Sequence, residues 1–386
     1  MDLFGEEPAS EKDEPEPVSL EIVKEDIFVD PDLQHPRHMP LCYGHEGVEK
    51  ALLTAYEEGR MPHGIIFAGQ KGIGKATMAY RLARFLLKNG IHDPNQGSMF
   101  DDGADAYTSL EVDPEDPNFR RVASGGHADF MSVERAFDAT KNRYKDSVAV
   151  DSIRKVPGFL RMTASDGGWR VVIIDDADTM NRNAQNALLK ILEEPPKNAI
   201  LILVTHRMGA LIPTIRSRTQ VYNFQPLLDM QVQELLTKFG VEQGAIPALS
   251  ALGEGSVGKA LDYNNGGGLE TLEELFDVLN GYPDWDWLKI HAIADSLASP
   301  AQSEAYDAFQ NLLCWVFAQL VVMKARGHSS APDILDKPAL QELLLRSSLE
   351  SLLKICENLH EHFLKVRQAN LDKRQAILTA FSKISA

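Results

Sequence analysis

A short apolar run at 64–68 (GIIFA) leads directly into 69–77 (GQKGIGKAT) and on into a helix-patterned stretch at 75–87. Few local patterns restrict a fold as tightly. Glycines permit a turn whose backbone N–H groups converge on an anion, and the helix start adds its partial positive charge. A buried strand, a tight loop and an amphipathic helix in this order belong to a parallel sheet with helices on both faces. Two further apolar runs, 171–174 (VVII) and 200–204 (ILILV), alternate with helix patterns at 152–163 and 181–192. The fold class read from this alternation is α/β. Pro157 is expected to break or kink the first of those helices unless it lies near its start.

The loop carries specific chemistry. Gly69, Gly72 and Gly74 shape the turn, and Lys75 offers a charge to the outer phosphates of a nucleotide. A working site also needs a hydroxyl on the next residue to ligate Mg²⁺. Here that residue is Ala76, and Thr77 stands about 100° further round the helix. The run VVIIDDAD places Asp175 at a strand end, where it could hold Mg²⁺ directly or through water. Asp176 follows where a hydrolase wants Glu, and its carboxylate is one methylene short of the attacking water. A glycine-rich turn without nucleotide, and acids that merely cap the next helix, are the alternative readings of these two motifs. In IRSRT (215–219), Arg216 and Arg218 can pair with carboxylates of the same chain or reach a phosphate on a neighbour. His35, His38, His45 and His63 form no ligand or triad pattern and read as surface or turn residues.

Composition sets the outer limits. The formal net charge is −17, and residues 1–33 hold twelve acidic and two basic residues. So acidic and Pro-rich a segment cannot bury enough apolar surface to order itself, and 1–39 is read as a disordered tail. The overall acidity argues against a protein that coats DNA on its own. Cys42, Cys314 and Cys356 are too scattered for a disulfide framework, so a cytoplasmic setting is expected. No apolar run is read as a membrane span and no secretory signal is recognised. The chain of 386 residues divides into an α/β domain at 40–226, interrupted by an acidic loop-like insertion at 91–125, a small helical lid at 227–266 and an all-helical region at 270–386.

Three stretches together carry a resemblance: RMPHGIIFAGQKGIGKATMAYRLARFLL, IRKVPGFLRMTASDGGWRVVIIDDADTMNRNAQNALLKILEEPP and ILILVTHRMGALIPTIRSRTQ. Their order and spacing resemble the AAA+ clamp-loader proteins of bacterial DNA polymerase III, clearly over 40–226 and more loosely beyond. The resemblance implies an AAA+ domain, a helical lid and a C-terminal collar that joins a ring of five. It implies loading of a sliding clamp onto primed DNA during replication, with gamma/tau motor and delta subunits as partners and no membrane. It also implies nucleotide contacts from Gly69, Gly72, Gly74, Lys75, Thr77, Asp175, Asp176 and Thr205. Arg218 falls on the family's Ser-Arg-Cys motif, with Thr219 in place of Cys, and is implied to act on the ATP of an adjacent motor subunit. Motor subunits carry Thr or Ser at position 76, Glu at 176 and an Arg where GSVGKAL has Gly258. The three departures together imply a subunit that binds ATP weakly or not at all, takes Mg²⁺ only with nucleotide and has no turnover of its own. A catalytically active gamma/tau-like ATPase is the alternative. Many relatives hold zinc through four cysteines after the loop helix; residues 85–150 contain none, so no structural zinc is expected.

Overall fold

The computed structural model describes residues 35–92, 107–138, 143–165, 168–299, 302–327 and 332–385. Its first half opens with α1 (Glu46–Glu57), β1 (Gly64–Ala68), α2 (Lys75–Asn89) and α3 (Pro117–Ala123). There follow β2 (Phe130–Val133), a two-stranded hairpin of β3 (Phe137–Asp138) and β4 (Arg143–Tyr144), and α4 (Val150–Arg161). The half closes with β5 (Arg170–Ile174), α5 (Arg182–Glu193), β6 (Ala199–Thr205), α6 (Pro213–Arg216) and β7 (Gln220–Asn223). Five strands form one parallel sheet in the order β2-β5-β6-β1-β7.

Neighbouring residues of a strand point to opposite faces. Ile65, Phe67, Val171, Ile173, Ile200 and Ile202 therefore join the core beneath α1, α2 and α3. Ile66, Val172, Ile174, Leu201 and Leu203 join the other core beneath α4 and α5. Burial on both faces explains why β1, β5 and β6 read as unbroken apolar runs. α4 continues through Pro157 to Arg161 without ending there, contrary to the expected break.

The second half is helical: α7 (Asp229–Lys238), α8 (Ile246–Gly253), α9 (Val257–Asn265), α10 (Gly268–Leu279), α11 (Trp287–Leu297), α12 (Ser303–Arg326), α13 (Pro338–Arg346), α14 (Leu349–Ala369) and α15 (Lys373–Ser385). One continuous buried apolar cluster runs through it from Leu227 to Ile384. By length and composition α12 could cross a membrane, which the sequence reading did not anticipate. Half of its apolar window is buried against neighbours such as α10 and α14, the pattern of a core helix.

Two segments differ from expectation. Most of the acidic tail lies outside the described residues, but 35–39 are ordered against α2. Arg84, 1% exposed, donates to the carbonyls of Arg37 (3.0 Å) and Met39 (2.6 Å). Arg81, also buried, donates to Pro40 O and to Glu49. These arginines satisfy backbone acceptors that would otherwise be buried bare. The insertion 91–125 is read as a loop, but in its described part Leu110, Val112, Phe119 and Val122 are core residues. Its acidic composition hid those four apolar anchors, and Arg84 stacks on the Phe119 ring at 4.1 Å.

Candidate nucleotide site

The carboxyl ends of β5, β6 and β1 lie side by side, the edge at which parallel sheets present ligand-binding loops. Gly72 (φ +75°) and Gly74 (φ +103°) adopt left-handed backbone that only glycine takes without strain. From there α2 begins with Lys75, which is 2% exposed. His45 Nε2 donates to Ile73 O at 2.6 Å and braces the loop from behind. Cys42 Sγ lies 3.5 Å from Gly74 O. His45 is thus buried rather than a surface residue, and burial lowers its pKa.

A cavity of about 480 Å³ opens over the loop. Leu41 and Tyr43 wall it from the N-terminal strap, and Leu235, Phe239 and Leu261 from the helical half. Gly72, Gly74, Lys75, Thr77, Asp175 and Asp176 line it as the sequence predicts. Gly69 and Thr205 are not among its lining residues. Thr205 is fully buried, and its hydroxyl lies 3.4 Å from Asp178 Oδ1. The next residue, His206, occupies the lining position at that strand end.

The polar groups are largely spoken for. Lys75 Nζ donates to Gln70 O of its own loop. Burial pulls Lys75 down to about 8, against the opposing pull of Asp175, Asp178 and Asp176. Asp176 sits in left-handed backbone, accepts from His206 Nε2 at 2.7 Å and is ion-paired with Arg135. Burial would raise its pKa, but His206 and Arg135 outweigh burial and hold it at about 2. A carboxylate so firmly paired is a poor base for an attacking water. Asp175 differs: burial, reinforced by the adjacent Asp176 charge, pushes it up to about 6.

The donor set for Mg²⁺ is therefore incomplete. Ala76 has no side-chain oxygen and Asp175 Oδ1 accepts from the Asp176 N–H at 2.8 Å, so the residues present do not fit the metal of a working site. The apolar walls and glycine loop do fit a nucleotide base and phosphates.

The lid meets the loop through one main-chain bond, one serine hydroxyl and the exposed pair of Lys71 with Asp262 at 3.4 Å. Gly258 N donates to Gly72 O at 2.9 Å, and Ser256 Oγ to Lys71 O at 2.7 Å. A Cβ on Gly258 would lie 2.7 Å from Gly72 Cα, so the absence of a side chain at 258 is what permits the contact. Lys238 of α7 bonds Tyr43 OH at 3.0 Å and completes a second bridge.

Arg218 lies beyond the opposite, amino ends of the strands, beside Gly64 at the start of β1. It pairs with Glu193 at 3.1 Å, both side chains being partly exposed, and donates to Thr214 O. Exposed pairs of this kind contribute only about 0–1 kcal/mol and exchange partners readily.

Asp175 gives a pH signature. Its folded pKa lies above the ordinary carboxylate value, so its favourable contribution is present below about pH 4 and is lost as pH rises through about 6. Asp175→Asn is expected to remove that fall and to raise stability at pH 7.5 by about 1–2 kcal/mol, discounted for partial solvent access. Melting temperatures of both proteins from pH 4.5 to 8 check this; parallel curves would show that Asp175 is well solvated.

Sheet order, loop and strand-end acids together define a P-loop AAA+ protein. Residues 44–228 match the family described as DNA polymerase III, delta subunit. The chain is 26% identical to DNA polymerase III subunit delta′ of Escherichia coli strain K12 over 335 residues, covering 85% of this chain and 90% of that one. It is 30% identical to the delta′ subunit of Bacillus subtilis strain 168 over 207 residues, covering 53% of this chain and 54% of that one. It is 29% identical to the gamma/tau subunit of Mycobacterium tuberculosis H37Rv over 203 residues, 53% of this chain and 31% of that one. The family match spans just under half of the chain, and the relatives it is similar to are delta′ and gamma/tau subunits of DNA polymerase III; together they support a clamp-loader subunit of the delta′ kind.

Sequence reasoning missed Tyr43, Arg135 and His206. Single His, Tyr and Arg residues outside a motif carry no local signal; only packing brings them to the loop.

Proposed function

We propose that this chain is a delta′-like subunit of the clamp-loader complex, loading the sliding clamp onto primed DNA in the bacterial cytoplasm. In this reading it is a stator in a heteropentamer with gamma/tau and delta subunits. Its own ATP site is degraded, and Arg218 serves as an arginine finger for a neighbour's ATP. The observation that carries the reading is the contrast between the two ends of the sheet. At one end Asp176 is tied to Arg135 and His206, Ala76 offers no metal ligand, and Gly258 holds the lid on the loop. At the other end Arg218 is held by exposed contacts alone, the half-exposed Glu193 and two oxygens of its own turn, Thr214 O and Ser217 Oγ.

Mixing the purified chain with candidate gamma/tau and delta subunits, and weighing the product by native mass spectrometry, tests membership. The expected result is one stable assembly containing this chain, and no ATP turnover by the chain alone. Steady turnover by the isolated chain, abolished by Lys75→Ala, would favour the active gamma/tau-like ATPase instead.

A further inference from the structure

In a working glycine loop a divalent cation bridges the outer two phosphates, held by a loop hydroxyl and a strand-end carboxylate. Here the anion-binding part and the metal-binding part have come apart. The anion-binding part is intact: Gly72 and Gly74 take left-handed backbone, α2 starts at the loop, and Lys75 is 2% exposed. The metal-binding part is not, since Ala76 has no side-chain oxygen and Asp175 Oδ1 is taken up by the Asp176 N–H.

The charges around the cavity are unequal. Lys71 pairs with Asp262 at 3.4 Å and Lys238 with Glu234 at 2.7 Å. Lys75 Nζ donates only to the main chain, at Gln70 O, and Asp175, Asp178 and Asp176 act on it through charge without a hydrogen bond. It is the lining lysine without a carboxylate partner among the described residues. Of the two lining acids, Asp176 is answered by Arg135 and His206. Asp175 has no ion-pair partner among the described residues.

This arrangement limits how much phosphate the loop accepts. Loop amides cradle the inner phosphates, and the lysine reaches the next one out. A diphosphate is therefore met by donors along its whole length. The phosphate beyond it belongs where the metal links it to the strand-end acid. With no metal held there, that phosphate would face the Asp175 carboxylate with no cation between, and like charges at short range repel.

We infer that the cavity takes a nucleoside diphosphate without a divalent cation and discriminates against the triphosphate. The inference rests on the degraded ATP site proposed above and deepens it by naming the ligand.

The test titrates ADP and ATP calorimetrically into the full chain, each in Mg²⁺ and in EDTA at matched ionic strength. One ADP is expected to bind per chain in EDTA. Mg²⁺ competes for the diphosphate in solution, so it should leave the ADP affinity unchanged or lower it. ATP in EDTA should bind at least about threefold more weakly than ADP. Lys75→Ala should weaken ADP binding at least about tenfold, as the loss of a charged donor does, with circular dichroism checking the fold. Asp175→Asn keeps the shape and removes the charge, so it should bring ATP to within about twofold of ADP. Tighter ADP binding in Mg²⁺ than in EDTA, a smaller gap between ADP and ATP, a gap that survives Asp175→Asn, or no ADP binding would each overturn the inference. A chain that joins the assembly and turns over no ATP, yet fails these titrations, would sink this inference and leave the proposed function standing.

Discussion

Replacing Arg218 with Ala is expected to slow ATP hydrolysis at the adjoining motor subunit by on the order of 10³-fold. The measurement calls for a reconstituted complex in which that neighbour holds the sole working ATP site. The size of the effect follows from what a guanidinium supplies: a permanent charge and a planar fork of donors, delivered where charge develops in phosphoryl transfer. In the free chain the group is parked on Glu193 at 3.1 Å, with its side chain 36% exposed. Leaving that partner sacrifices at most about 1 kcal/mol, far less than a transition-state contact provides. Arg218→Ala should therefore leave the melting temperature and the assembly intact. Arg218→Lys should restore little, because a point charge does not reproduce the fork. Full turnover in the Ala variant would remove Arg218 from the neighbour's site.

The second large effect is on stability. Asp129→Ala is expected to destabilise the α/β half by about 3–5 kcal/mol, since it strands a buried guanidinium. Asp129 and Arg170 are 4% and 6% exposed and lie 3.0 Å apart. Asp129 also accepts from the Ser165 N–H through both oxygens, so its loss frees the turn that leads into β5. Urea unfolding, read by hydrogen exchange at β5, separates this half from the helical one. Adding Arg170→Met should recover part of the loss, because removing both charges leaves no unpaired ion. A loss under about 1 kcal/mol would mean that water reaches the pair.

How much of this was legible beforehand depended on whether the signal was local. β1, β5 and β6 announced themselves because burial on both faces demands continuous apolar runs. The edge strands β2 (FMSV) and β7 (QVYN) are four residues each and half-solvated, so no run marked them. The loop, both strand-end acids and the gap at Gly258 were readable because each sits within a motif of fixed spacing. Thr205 was placed one residue early: alternation along β6 turns it into the core and leaves His206 to face the cavity. Arg81 and Arg84 look like the polar side of an amphipathic helix. Their burial depends on the strap at 35–43 crossing α2, a long-range contact with no trace in the helix itself.

The meeting of Gly72 with Gly258 has one more implication. Where an arginine would span this gap, the grip of one half on the other would rise and fall with the charge held between them. Two bare backbones sharing an amide hydrogen have no such gauge. That shared hydrogen carries no net charge for salt to screen, so ionic strength can act on this clasp only through the exposed pair beside it, Lys71 of the loop with Asp262 of α9 at 3.4 Å.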